Sequence, residues 1–378
     1  MFSYQQNNRF FAQIADEMKA LAVDELTELG ALNITPIYRG IYFEADKAAL
    51  YRINYTSRLI TRVLAPLISF QCHSTKYLYK MAKAIIWTDL FSVENTFAIF
   101  ANVSHSNIKH SQYAALCLKD AIVDFFREKS GKRPDIDTVS PNVWLNLHIE
   151  NNRAVINFDT SGGSLHRRGY RKKTVAAPMQ ETLAAAIIQL SEWDGSRPLY
   201  DPMCGSGTLL CEALMYYCRI PSGILREKFG FELLPDFDRT VWNSVKRKAG
   251  QQTRDLSEGI ISGSDVSKKA IETAIVNVRN LPYSEKIKFN MINFQNILKL
   301  ENSIIVCNPP YGIRLKGKNL ADFYKSLGDF LKQRCQGCSA YIYFGNRELI
   351  KKIGLKPLWK KPLKNGGLEG RLVKYEMY

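Results

Sequence analysis

The sequence predicts an α/β fold, with a parallel, doubly wound sheet in its second half and an α+β region before it. Three observations predict this. Strand-like runs alternate with helix-like runs over the second half, the first half mixes short β-rich runs with helices, and a Gly/Ser and basic stretch, TSGGSLHRRGYRKK, separates the two near residues 160–173.

In chain order, ITPIYRGIYFEA reads as extended and YLYKMAKAIIW as helical. AALCLKDAIVDFFREKSG is a helix with a glycine stop, and AVINFD is a strand. Beyond the junction, PLYD precedes a glycine loop and a helix, GIISGSD precedes KKAIETAIVNVRN, and SIIVC precedes NPPYG. Ligands of such sheets sit beyond the carboxyl ends of the strands, and all three polar motifs fall there. The tail, KNGGLEGRLVKYEMY, has an Asn-Gly pair before a β-rich run and reads as a turn and a closing strand.

Composition narrows the function. With 378 residues, 46% of them hydrophobic, the chain can build two or three cores. No stretch reaches the roughly 18 apolar residues of a membrane span, and MFSYQQNNRF lacks the layout of a signal peptide, so the expected location is the cytoplasm. The eight cysteines follow no regular spacing and read as core residues; Cys335 and Cys338 form a lone C-x-x-C without a second ligand pair, so no metal is expected. The net charge of +16 is uneven: residues 1–165 carry 17 basic and 16 acidic side chains, residues 166–378 carry 35 and 20. A basic second half suits a polyanionic partner, although solubility also explains it.

The chemistry sits in three motifs. In Asp201-Pro-Met-Cys-Gly-Ser-Gly-Thr208, Gly205 and Gly207 let the backbone turn tightly and leave room for an adenosine-bearing cofactor before a helix. No Gly-Lys-Ser/Thr follows, which disfavours a phosphate loop. Asp265, at the next strand end, is placed to accept from a ribose diol; the alternative is a helix N-cap, which Ser267 also suits. In Asn308-Pro309-Pro310-Tyr311, the prolines stiffen the chain so that an amide oxygen and a fixed carbonyl both accept from one amino group. An exocyclic base amine has its lone pair delocalised into the ring; two acceptors on its protons aim that pair at a methyl donor. Tyr311 offers a face for an extruded base.

With these residues in view, the second half resembles the amino-methyltransferases with an Asn-Pro-Pro-Tyr signature. Ser161-Gly-Gly-Ser-Leu-His-Arg-Arg-Gly-Tyr-Arg171 and Ala177-Pro178-Met-Gln-Glu181-Thr182-Leu-Ala184 are similar to the linker and first helix of the THUMP-domain RNA guanine-N2 methyltransferases. Arg58-Leu-Ile-Thr-Arg62-Val-Leu and Lys119-Asp-Ala-Ile-Val-Asp124 resemble the same family's N-terminal half, and its bacterial branch acting on 23S rRNA is the nearest.

The resemblance implies a class I methyltransferase fold, S-adenosylmethionine as donor and capture of RNA by the THUMP half. It implies a ferredoxin-like element over 1–45, a THUMP domain over 46–160 and a methyltransferase domain over 161–378, with 161–175 as linker. It adds Met203, Cys204, Thr208, Val266, Asn293, Phe294, Pro178, Glu181 and Thr182 to Asp201, Gly205, Gly207, Asp265 and Asn308 around the cofactor. It assigns RNA contact to Arg58, Arg62, Lys119, Arg167, Arg168, Tyr170, Arg171, Lys172 and Lys173. Asn293 departs from the family's usual Asp, but its carbonyl can still accept from an adenine amine. The rival readings are a DNA adenine-N6 or protein-glutamine methyltransferase and a catalytically silent RNA-binding assembly factor. The run Lys351, Lys352, Lys356, Lys360, Lys361, Lys364 reads equally as a phosphate track or as a solvated face.

Overall fold

The structure is a computed structural model describing residues 1–174, 179–311 and 318–378. It divides into two units, one of residues 1–165 and 226–247, the other of residues 166–225 and 248–378.

The first unit runs α1 (Ser3–Asn7), β1 (Arg9–Gln13), α2 (Lys19–Glu28), β2 (Leu32–Ile37), β3 (Gly40–Glu44), α3 (Lys47–Thr56), β4 (Arg62–Gln71), α4 (Thr75–Lys83), β5 (Phe97–Ser104), α5 (Ser111–Ser130), β6 (Val143–Glu150) and β7 (Arg153–Asp159). Local chemistry sets the helix ends. Asp46 accepts from the Ala49 N–H to start α3, Ser74 does the same from Tyr77 for α4, and α5 stops where Gly131 turns left-handed. The strands form one sheet in the order β2-β3-β1-β4-β7-β6-β5, antiparallel except for β5 with β6. Because β4 pairs with both β1 and β7, the ferredoxin-like and THUMP regions share this sheet.

Residues 226–247, within the 161–378 expected for the methyltransferase, pack with the first unit. Phe231 stacks on Tyr51 with ring centroids 4.4 Å apart, and Trp242 meets Tyr55 edge-on at 5.2 Å. Gly230 backs onto the Asp159 carbonyl so closely that a Cβ would lie 2.0 Å from it. Burying four large rings together outweighs continuity in sequence, since each aromatic hides about 150–250 Å².

The second unit runs α6 (Glu181–Leu190), β8 (Leu199–Asp201), α7 (Thr208–Tyr217), the end of α8 (Arg239–Gln251), β9 (Ile261–Asp265), α9 (Lys268–Val278), β10 (Lys288–Met291), β11 (Ile304–Cys307), α10 (Lys318–Arg334), β12 (Ser339–Phe344), β13 (Trp359–Asn365) and β14 (Leu368–Glu376). Its sheet has the order β10-β9-β8-β11-β12-β14-β13. The first five strands are parallel; β14 is antiparallel to both neighbours, so the tail folds into the hairpin turn and closing strand its Asn-Gly pair announces. Tyr324, Leu327 and Leu331 of α10 bury against Ile305, Ile342 and Phe344, and Cys335 and Cys338 lie fully buried in the same core. The strand order reverses between β8 and β11, and the three motifs leave the sheet beside that point.

Candidate active site

At the end of β8, Asp201 is almost fully buried, and one of its oxygens accepts from the Met203 N–H at 3.0 Å. Burial pushes its carboxyl well above the usual carboxylate range. The loop then passes Gly205 and Gly207, both left-handed at φ 54° and 79°, a region other L-residues enter at a cost. They differ in surroundings. A Cβ on Gly205 would meet open space, whereas one on Gly207 would sit 3.1 Å from Ala274 of α9, so close helix packing sets the second glycine.

Asp265 ties the loop to the next strand, accepting from the Gly205 N–H at 3.0 Å and the Ser267 N–H at 2.9 Å. The cap of α9 is Ser267, which accepts from the Ala270 N–H. Asp265 therefore keeps acceptor capacity toward the open side of the loop.

These residues meet in one cavity of about 290 Å³. Asp201, Met203, Cys204, Gly205 and Thr208 line it from the loop, Asp265 and Val266 from β9, Asn293 and Phe294 from beyond β10, and Asn308 and Pro310 from beyond β11. Val266 is 69% exposed, an apolar surface left uncovered by the chain itself. Asn293 accepts from the Gln295 N–H at 3.0 Å, which fixes its amide and leaves its oxygen one lone pair. Met179, Ser206, Leu209, Gln295 and Phe323 also line the cavity and were missed from sequence. Ser206 lies inside the glycine motif and could have been read there; the others are ordinary residues brought in by packing.

In the Asn-Pro-Pro-Tyr segment, the Pro310 carbonyl accepts from the Tyr324 hydroxyl at 3.3 Å. The Asn308 amide oxygen is buried and finds no donor among the described residues. Leaving such an acceptor unpaired costs about 1–3 kcal/mol, a cost that a bound donor would remove. Tyr311 lies against Gly345, where a Cβ would come within 2.6 Å of its ring, and edge-on to Tyr343. Its hydroxyl is 3.5 Å from the Asn365 amide nitrogen.

The residues expected at RNA divide sharply. Arg168 and Tyr170 are 1% exposed and both face Glu212, at 3.4 and 2.9 Å, so they are corrected to structural roles. A lone acid inside the apolar helix TLLCEALMYY was the available signal, because a buried carboxylate needs a partner. Arg171 is ion-paired with Glu181 at 2.8 Å and donates to the Met179 carbonyl and the Thr208 hydroxyl, binding the start of α6 to that of α7. Glu181 and Thr182 are buried in α6 and do not line the cavity; Pro178 lies outside the described residues.

Arg58 is buried, and Arg62 is ion-paired with Asp159 between the rings of Phe100 and Trp144. Lys119, paired with Asp120, borders a groove between α4 and α5 that also holds Lys76, Arg127 and Arg133. Arg167, Lys172 and Lys173 are exposed, the backbone of the last two held by the Asn277 amide oxygen.

Known proteins match along the whole chain. Residues 168–374 match the RMKL-like methyltransferase domain, residues 72–159 the THUMP domain and residues 9–64 the RlmL ferredoxin-like domain. The chain belongs to the RMKL-like methyltransferase family. It is 40% identical over 371 residues to a Synechocystis protein provisionally named an RNA methyltransferase, covering 98% of this chain and 97% of that one. It is 36% identical to the ribosomal RNA large subunit methyltransferase K/L of Aliivibrio salmonicida over 95% of this chain and 52% of the relative, so it spans about half the length of the K/L proteins. The crystal structure of SMU.472, provisionally described as a methyltransferase and complexed with SAH, superposes with a TM-score of 0.85 at 26% identity, covering 98% of each chain.

As a member of this family, the chain is an S-adenosylmethionine-dependent RNA methyltransferase. The residues present fit that cofactor: two carboxylates at adjacent strand ends, open space at Gly205 and an uncovered Val266 suit an adenosine joined to a sulfonium.

Proposed function

We propose that this RNA methyltransferase modifies the exocyclic N2 of a guanine in 23S rRNA, in the cytoplasm. The observation that carries the reading is the buried Asn308 amide oxygen, which has no donor among the described residues and whose residue lines a cavity suited to the methyl donor. Asn308 and the fixed Pro309 carbonyl accept the two protons of the amine. Held so, the nitrogen lone pair faces the methyl carbon, and orientation supplies most of the catalysis. Tyr311 stacks on the extruded base.

The cofactor supplies an electrophilic methyl group on a sulfonium. Asp265 would accept from its ribose hydroxyls, Asn293 from its adenine amine, and Gly205 would give it backbone room. The ferredoxin-like and THUMP regions, over 1–45 and 46–160, capture the RNA together with Arg167, Lys172 and Lys173. The large-subunit rRNA acted on by the K/L relatives supports rRNA over tRNA. The THUMP match supports RNA over the DNA-adenine or protein-glutamine reading.

Two measurements test this. Calorimetry with S-adenosylhomocysteine should show binding, and its absence in folded protein removes the enzyme reading. Nucleoside mass spectrometry of rRNA and tRNA from a deletion strain should show loss of N2-methylguanosine from 23S rRNA alone; loss of a methyladenosine, or loss from tRNA, refutes the assigned target.

A further inference from the structure

The edge of the second sheet carries a charge pattern that the cofactor site does not use. Between residues 351 and 364 stand Lys351, Lys352, Lys356, Lys360, Lys361 and Lys364, all exposed, with no acid among them. The last three lie on β13, which among the described residues pairs only with β14. Neither Lys360 nor Lys361 has a carboxylate partner among the described residues; the Lys361 ammonium rests 5.0 Å over the Trp359 ring. Glu369 faces Lys364 across the hairpin, and the hairpin's other acid, Glu376, is engaged by Lys374 and Ser339.

Such an edge is a poor template for another protein strand. Pro362 lacks an N–H and the flanking lysines repel a second copy of the edge. A polyanion is the complementary occupant. The strand also ends at the reaction site: Asn365, its last residue, accepts from the Gln180 N–H at 3.2 Å and stands 3.5 Å from the Tyr311 hydroxyl. Side chains alternate along a strand, so Lys360 and Lys364 share one face about 13 Å apart while Lys361 takes the other with Asn365, and the two faces flank an edge that ends beside Tyr311.

We infer that β13 is a phosphate track which guides the RNA strand to Tyr311. The inference rests on the RNA methyltransferase reading and adds to it a contact surface on the catalytic unit. Lysines serve here as point charges on successive backbone phosphates and read no sequence.

The test compares the full chain with a Lys360→Ala, Lys361→Ala double variant, titrating a fluorescent single-stranded RNA across salt concentrations. Each phosphate contact contributes about −0.7 to the log-log salt slope, so the variant's slope should be shallower by about 1.4; over a fourfold rise in salt the wild type should lose about 7-fold more affinity than the variant. The matching Lys→Arg double variant should restore the slope. S-adenosylhomocysteine affinity should be the same in all three proteins. A variant slope equal to the wild-type slope overturns the track while leaving the methyltransferase reading intact. Wild-type protein that binds the cofactor product but no RNA overturns both, and preference of the same lysines for duplex DNA overturns RNA as the occupant.

Discussion

Asn308→Ala should separate activity from stability. The amide oxygen has no donor among the described residues and the side chain is only half-buried, so truncation removes no described hydrogen bond and little packing. Stability should stay within about 1 kcal/mol of wild type, or about 2–4 °C in Tm for a domain of this size. The rate of methyl transfer should fall by about 10² or more, because an orienting acceptor is lost in a water-poor site. Single-turnover methylation of the natural RNA, thermal unfolding and calorimetry with S-adenosylhomocysteine read the three quantities separately. An Asn308→Ala protein with ordinary rates, or one that unfolds several degrees early and no longer binds the cofactor product, would refute the reasoning.

Three further outcomes follow from the geometry. Tyr311→Ala should weaken RNA substrate capture by about 1–3 kcal/mol, and Gly345→Ala should do likewise because its Cβ displaces the ring; both show as KM effects in steady-state methylation. Asp201→Asn should stabilise the free protein at neutral pH. A buried carboxyl whose folded pKa is raised favours the protonated state, so wild-type stability falls as pH rises from the ordinary carboxylate range toward that raised value; thermal scans should show the gap between the proteins closing in acid. Arg168→Ala should cost about 3–5 kcal/mol by stranding Glu212, with the salt slope of RNA binding retained, whereas the triple change of Arg167, Lys172 and Lys173 to Ala should flatten that slope by about 2 and leave stability near wild type.

The segments that line the cavity were legible because they are tied to backbone geometry. Glycines at 205 and 207 and prolines at 309 and 310 constrain the chain wherever they occur, and their places after PLYD and SIIVC located them at strand ends. Charge was less legible. Arg168 and Lys172 look alike in a basic run, yet one is sealed against Glu212 and the other is open to solvent, and only the position of α7, which carries Glu212 44 residues beyond Arg168, decides which. Tyr324 and Phe323 carry no motif at all; α10 brings them to the site because its apolar face must cover β11 and β12. The return of residues 226–247 to the first unit was hidden for the same reason, since aromatic burial leaves no local punctuation.

That return has a consequence during synthesis. The ribosome releases the strands of the first sheet early, but Phe229, Phe231 and Trp242 emerge well after Leu165, with a stretch of the catalytic unit between. Until they arrive, Tyr51 and Tyr55 lack these ring partners, so the first unit completes its packing only after part of the second has been made. A gene fragment ending at the apparent domain junction would yield a nascent chain with exposed rings, one that chaperones would hold and proteases would find.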